Sequence, residues 1–250
     1  MEGHLKTGLE GRSVLITGAG RNIGRRMAVL FAEEGANLAI CTSRNMDGLD
    51  ETAQQAEKAG ARVIAQQCDV TDADAVAGLV QRTRDEFGSV DVVVNNAVFR
   101  AEGDLLEESF ETWMRNIEVN LNGPYHTCKN ALPHMIERQW GRFVNFSGIA
   151  PYLGSYPGKA MVKLGIVGFT RGLAQQYGKH NITANCIGPG HIEVERDDFQ
   201  DPNKGVHDHQ SIRRSGKPDE VASLAVFLAS ENAGYITGQC YLANGGAYYQ

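Results

Sequence analysis

Two lysines, Lys159 and Lys163, stand four residues apart in the stretch SYPGKAMVKLGIVGFTR, residues 155–171. On a helix that spacing places both ammonium groups on one face, where like-charge repulsion makes either one a readier acid. Tyr156 lies three residues before Lys159 and seven before Lys163. A phenol and an ammonium on one helix face form a proton-transfer pair, because the cation stabilises the phenolate. Pro157 and Gly158 follow Tyr156, however, so the helix is expected to start there and leave Tyr156 in the preceding loop. Tyr152, Ser155 and Ser147 are further hydroxyls nearby.

A second group of residues points to phosphate. TGAGRNIG, Thr17 to Gly24, combines glycines that admit a close backbone approach with a helix start whose amides attract negative charge. Asn22 stands where a glycine is usual, and asparagine tolerates the left-handed backbone. The segment CTSRN offers Thr42, Ser43 and Arg44, groups that suit a phosphate, and lacks an acid. Residues 191–210 carry six acids, Glu193, Glu195, Asp197, Asp198, Asp201 and Asp208, against Arg196 and Lys204. His207 and His209 form HDH there, but no further ligands stand at metal spacing, so no metal site is expected.

The elements that must hold these groups alternate. Strand-like runs are SVLIT (13–17), NLAIC (37–41), RVIAQQ (62–67), VDVVV (90–94), RFVNF (142–146), ITANCI (182–187) and CYLA (240–243). Helical patterns separate them, one running to Glu34, one to Ala59 and one from Asp72 to Phe87, with Gly, Pro and Asn at the junctions. Apolar strands alternating with helices imply a parallel sheet covered on both faces. Right-handed crossovers then give a single-domain α/β, Rossmann-type doubly wound sheet of about seven strands over residues 1–250. A net charge of −6 argues against a nucleic-acid surface. No apolar run reaches the roughly 20 residues of a membrane span, and no signal peptide is evident in MEGHLKTGLEGRSVLITG. Cys41, Cys68, Cys128, Cys186 and Cys240 are scattered and odd in number, which reads as reduced, mostly buried thiols in a cytoplasm.

TGAGRNIG, CDV (68–70), NNAV (95–98), Asn120 in EVNLNGPYH, IGPGHIEV (187–194) and YITGQCYLANGG (235–246) keep an order and spacing that resembles the short-chain dehydrogenase/reductase superfamily, from about Leu9 to Gly246. The resemblance implies a nicotinamide dinucleotide held by Thr17, Gly18, Asn22, Ile23 and Gly24, with Asp69 and Val70 on the adenine side, Asn96 and Pro189 among the further cofactor residues, and Lys163 on the ribose. Thr42, Ser43 and Arg44 would meet a 2′-phosphate. It implies an Asn–Ser–Tyr–Lys catalytic set, of which Asn120 and Lys163 remain. The tyrosine position is Lys159 and the serine position Gly148, with Ser147 beside it. Val98 stands for the usual glycine and Val194 for a threonine, both at the nicotinamide end. Two ammonium groups beside a cationic nicotinamide are electrostatically unfavourable, which counts against Lys159 as the acid. The resemblance also makes residues 191–217 a lid-like loop. Gly165, Gly168 and Gly172 give one helix a close-packing face, and in the family that helix serves subunit contact.

These substitutions lead to an expectation of a non-catalytic subunit. It would join an active paralogue of an NAD(P)-dependent hydroxyacyl-CoA or alcohol dehydrogenase in a hetero-oligomer, a tetramer, or else form a homo-oligomer. The pattern resembles the degenerate subunit of a two-subunit dehydrogenase of aromatic β-oxidation. Two alternatives stand beside it: an active NAD(P)-dependent alcohol/ketone oxidoreductase with Tyr156 or Tyr152 as relocated acid, and a dinucleotide-sensing regulator. NAD(P) in the site and an empty site both remain open, with no nucleic-acid or membrane partner.

Overall fold

The computed structural model describes residues 6–100, 103–194 and 210–249. Seven strands form one sheet in the order β3-β2-β1-β4-β5-β6-β7. They are β1 (Ser13–Thr17), β2 (Asn37–Thr42), β3 (Val63–Gln67), β4 (Val92–Asn95), β5 (Gly141–Phe146), β6 (Ile182–Pro189) and β7 (Cys240–Ala243). Every neighbouring pair runs parallel. The doubly wound sheet expected from the alternating pattern is therefore present. Chain order reverses between β1 and β4, and ligands of such sheets bind beyond the strand C-termini at this switch.

Side chains alternate along each strand and so divide the core in two. Val14, Ile16, Leu38 and Ile40 pack under α1 (Asn22–Glu33), α2 (Met46–Lys58) and α8 (Pro218–Ala229). Leu15, Ala39, Val93 and Phe143 pack on the other face, against α3 (Ala73–Phe87), α5 (Gly123–Arg138) and the far end of α7 (Pro157–Tyr177). Two helices remain: α4 (Phe110–Ile117), and the single turn α6 (Ala150–Leu153).

A buried polar chain crosses the middle of the sheet. Thr127 donates to Asn95 Oδ1 at 2.6 Å, Asn95 Nδ2 to Asn145 Oδ1 at 2.8 Å, and Asn145 Nδ2 to Thr170 Oγ1 at 2.9 Å. Such groups are costly when buried unless they are hydrogen-bonded. Here they tie α5, β4, β5 and α7 into one frame.

The strand bounds differ from expectation by at most two residues, β6 continuing to Pro189. Gly165 does give a close approach, but within the chain: a Cβ there would stand 3.2 Å from Leu121, while Gly168 and Gly172 meet nothing within 4 Å. No described helix is long and apolar enough to cross a membrane. Around the lid-like segment, Ile192 bridges Gly216, and Glu193 N donates to Gly216 O at 2.8 Å, so its two described ends are clipped together. Five of its acids and both histidines of HDH lie outside the described residues. Among the described residues no three His, Cys, Asp or Glu side chains gather at metal distance.

Candidate active site

The phosphate loop is built by pinning its carbonyls from behind. Asn96 Nδ2 donates to Thr17 O (3.1 Å) and Gly18 O (2.8 Å), and Thr52 Oγ1 donates to Ala19 O (2.9 Å). Gly20 O accepts from Arg25 Nη2 at 3.0 Å and Asn45 Nδ2 at 3.3 Å. With four successive carbonyls held inward, the loop can present its amide edge at the N-terminus of α1, where the first amides of any helix lack intrahelical partners. Asn22 takes φ 54°, the left-handed conformation its residue type tolerates. A Cβ on Gly24 would lie 2.3 Å from Gly18 O, so only glycine allows this tight strand-to-helix turn. Arrangement and chemistry fit a dinucleotide pyrophosphate.

The other expected cofactor residues divide by role. Thr17 Oγ1 accepts from the Asn96 and Ala97 amides at 3.1 and 3.0 Å, locking β1 to the end of β4. Asn96 acts on the loop through its side chain, as a positioning residue. Asp69 accepts from Arg115 Nη2 at 2.8 Å and from the Thr71 amide and hydroxyl. Burial opposes its ionisation, but these bonds outweigh it and hold the carboxyl below the usual range. Its carboxylate therefore braces α4, and Val70 packs where a side chain on Gly123 would stand. Ile23, in the first turn of α1, packs on the core. Thr42, Ser43 and Arg44 lie at the end of β2, and Gln67 holds Ser43 O at 2.9 Å. Pro189 closes β6 with Gly190 N bonded to Ala243 O. Val98 is exposed and Val194 buried.

Arg25, Asn45 and Thr52 were not anticipated. Asn45 is the N-cap of α2, bonding Gly48 N at 3.2 Å, and an Asn before a helical pattern is a readable cap signal. That the same side chain also reaches Gly20 is tertiary.

On the catalytic side, Asn120 sits in a π-turn, Glu118–Asn122, between α4 and α5, a distortion that recurs at functional sites. Its Nδ2 donates to Phe99 O at 2.9 Å and Asn116 Oδ1 at 2.9 Å. Lys163 is buried on α7, and its Nζ donates to Phe146 O at 3.1 Å. Burial pulls its pKa down to about 8; the Cys186 side opposes this, and Arg100 and Lys159 add to it. Ser147 Oγ donates to Lys163 O at 2.8 Å, which turns it away from a substrate. At Gly148 an added Cβ meets nothing within 4 Å, leaving open space where the family serine would stand.

The two candidate phenols differ. Tyr152 is committed: its hydroxyl donates to Cys240 Sγ at 3.5 Å and its ring stacks on Tyr248 at 5.1 Å. Burial and the Cys240 contact raise its pKa above the ordinary phenol value, making it a poor acid. Tyr156 precedes α7 as its N-cap, so Pro157 does begin the helix. Its φ of 52° is left-handed, a conformation costly for a bulky residue. Its side chain is exposed, with Lys159 Nζ 5.3 Å from the ring centroid. Tyr156 and Lys159 line a cleft of about 310 Å³ with Glu108, Ser109 and Thr112 across from them.

The shifted lysine makes a pH prediction. Below pH 8 Lys163 carries its proton both folded and unfolded, and the fold bears the full cost of burying the ammonium. Between 8 and 10.5 the folded form releases that proton first, so stability rises with pH. Comparison of wild type with Lys163→Met by urea unfolding at pH 7 and pH 10 should show the difference moving in favour of wild type, by up to about 3 kcal/mol.

Fold and loop together define a doubly wound α/β protein with a dinucleotide-type phosphate loop after its first strand. A family model described as enoyl-(acyl carrier protein) reductase matches residues 18–248. The chain belongs to this family, within the short-chain dehydrogenase/reductase superfamily. It is 36% identical over 249 residues to a 3-oxoacyl-[acyl-carrier-protein] reductase of Chlamydia muridarum, covering 95% of this chain and 98% of that one. A 3-oxoacyl-[acyl-carrier-protein] reductase of Staphylococcus aureus is 32% identical over 242 residues, with coverage of 95% and 98%. A solved structure described as a short-chain type dehydrogenase/reductase from Mycobacterium marinum superposes with a TM-score of 0.91 at 27% identity, over 98% of each chain. These full-length matches to proteins named as reductases overturn the expectation of a non-catalytic subunit and favour an active oxidoreductase. Nothing in them points to a subunit of aromatic β-oxidation. The usual Ser and Tyr positions are lost, yet a phenol and an ammonium remain together at the start of α7.

Proposed function

We propose that the chain is an active NAD(P)(H)-dependent oxidoreductase that interconverts a ketone and a secondary alcohol, with Tyr156 as its acid. The observation that carries the reading is the pairing of the exposed Tyr156 phenol with the Lys159 ammonium on the rim of the cleft. When bound, the nicotinamide supplies or accepts the hydride. The backbone edge at Thr17–Gly24 would hold the pyrophosphate, and Lys163 the ribose hydroxyls. In reduction, Tyr156 gives its hydroxyl proton to the substrate oxygen, and the nearby cation stabilises the phenolate left behind. The relatives are named for 3-oxoacyl substrates, and a 3-oxo group is a ketone, so 3-oxoacyl thioesters are the first substrate class.

Purified chain, without a second subunit, should oxidise NADPH in the presence of 3-oxoacyl thioesters or simple ketones. No turnover with either class and either dinucleotide would overturn the proposal. Arg44 and the hydroxyls of Thr42 and Ser43 suit a 2′-phosphate. Arg44→Glu should accordingly lower the NADPH/NADH ratio of kcat/KM by roughly 10- to 100-fold, the loss of a charge-assisted bond. Steady-state assays with both dinucleotides check it.

A further inference from the structure

All five cysteines are buried and reduced, and two of them stand side by side outside the proposed chemistry. In the β6–β7 register Cys186 lies directly opposite Cys240. Neighbouring parallel strands run about 4.8 Å apart with registered side chains on one face. That falls within the roughly 4.4–6.8 Å between Cα atoms that a disulfide spans. The two thiols share one cluster with Ile166 and Val167 beneath α7. Tyr152 Oη donates to Cys240 Sγ at 3.5 Å. β7 is an edge strand, and Cys240 keeps 9% exposure where Cys186 has none.

We propose that Cys186 and Cys240 are a peroxide-reactive dithiol that closes into a disulfide between β6 and β7. The Cys240 thiolate attacks one oxygen of hydrogen peroxide, breaking the O–O bond. Its sulfur becomes a sulfenic acid, and the departing hydroxide takes up a proton to leave as water. The Cys186 sulfur then attacks the sulfenic sulfur, the S–S bond forms, and the sulfenic oxygen leaves as a second water. Two thiols give up two electrons and one peroxide becomes two waters.

The roles follow from the surroundings. Cys240 is drawn down to about 7 by the neighbouring Cys186 thiol; burial opposes this, and the Tyr152 hydroxyl and Arg171 charge assist. Burial raises Cys186, which fits it as the resolving thiol. The nearest rival pair, Cys41 and Cys68, is less well placed. Cys41 is registered with Gln66 while Cys68 lies past the end of β3, so the two are not directly opposite each other as Cys186 and Cys240 are.

The test is peptide mapping of the wild-type chain after brief exposure to stoichiometric hydrogen peroxide. A 2 Da loss in the intact mass is expected, with one crosslinked peptide pair containing Cys186 and Cys240, reversed by dithiothreitol. Tyr152→Phe should slow crosslinking several-fold at neutral pH without preventing it. Cys240→Ala should leave no crosslink and Cys186→Ala a trapped sulfenic acid on Cys240. Full recovery of five thiols after exposure, or a crosslink at Cys41–Cys68 instead, would overturn the proposal. Since the wild-type map needs no variant, poor folding of either alanine form leaves the test decisive.

Discussion

Tyr156→Phe is expected to lower kcat by about 10²–10⁴-fold, the usual contribution of a positioned general acid. Phenylalanine keeps the ring, so the contact with Lys159 and the start of α7 are retained and only the hydroxyl is lost. Dinucleotide affinity, read by nicotinamide fluorescence, should stay unchanged, because the pyrophosphate loop is held by Asn96, Thr52, Arg25 and Asn45. Tyr152→Phe is the control. Its hydroxyl already serves Cys240 and its acidity is suppressed, so kcat should stay close to wild type. The reverse result, a silent Tyr156→Phe beside an inactive Tyr152→Phe, would move the acid to α6.

Gly24→Val should nearly abolish dinucleotide binding and destabilise the fold by about 3 kcal/mol or more, the upper range of overpacking. The first added carbon would stand 2.3 Å from Gly18 O and 2.9 Å from Ala19 Cα, and backbone cannot move aside as a flexible side chain could. For a chain of this size such a loss lowers Tm by roughly 6–12 °C. Gly78→Ala on α3 is the contrast. A Cβ there meets nothing within 4 Å, and alanine favours a helix over glycine by about 1 kcal/mol. Its Tm should hold or rise. Thermal unfolding followed by circular dichroism separates the two, and equal Tm values would show that the loop is not closely packed.

Much of the frame was legible in the chain because continuous apolar strands between helices have few other ways to bury both faces. Asn22 could be read as left-handed from its residue type, and Pro157 as the first residue of α7 from its fixed φ. The pins behind the phosphate loop were not legible, since Arg25, Asn45 and Thr52 come together with Gly20 and Ala19 only when α1 and α2 pack. The same holds for Cys186 and Cys240, 54 positions apart in the chain and adjacent only through strand register. The catalytic side is less legible for a different reason. Lys159 and Gly148 stand where the family pattern has its tyrosine and serine, and a pattern of positions carries no information on spatial neighbours. What bears on proton transfer is which groups share a cleft, and there Tyr156 faces solvent beside a cation.

The most direct measurement is isotope transfer by the purified chain alone. Nicotinamide dinucleotide deuterated at the reactive C4 carbon is incubated with a 3-oxoacyl thioester or a simple ketone, and the product is analysed by mass spectrometry. An alcohol carrying one deuterium on its carbinol carbon is the expected result for wild type, lost in Tyr156→Phe. Unlabelled ketone recovered together with unoxidised dinucleotide, from a folded chain shown to bind the dinucleotide, would contradict the assignment as an active oxidoreductase.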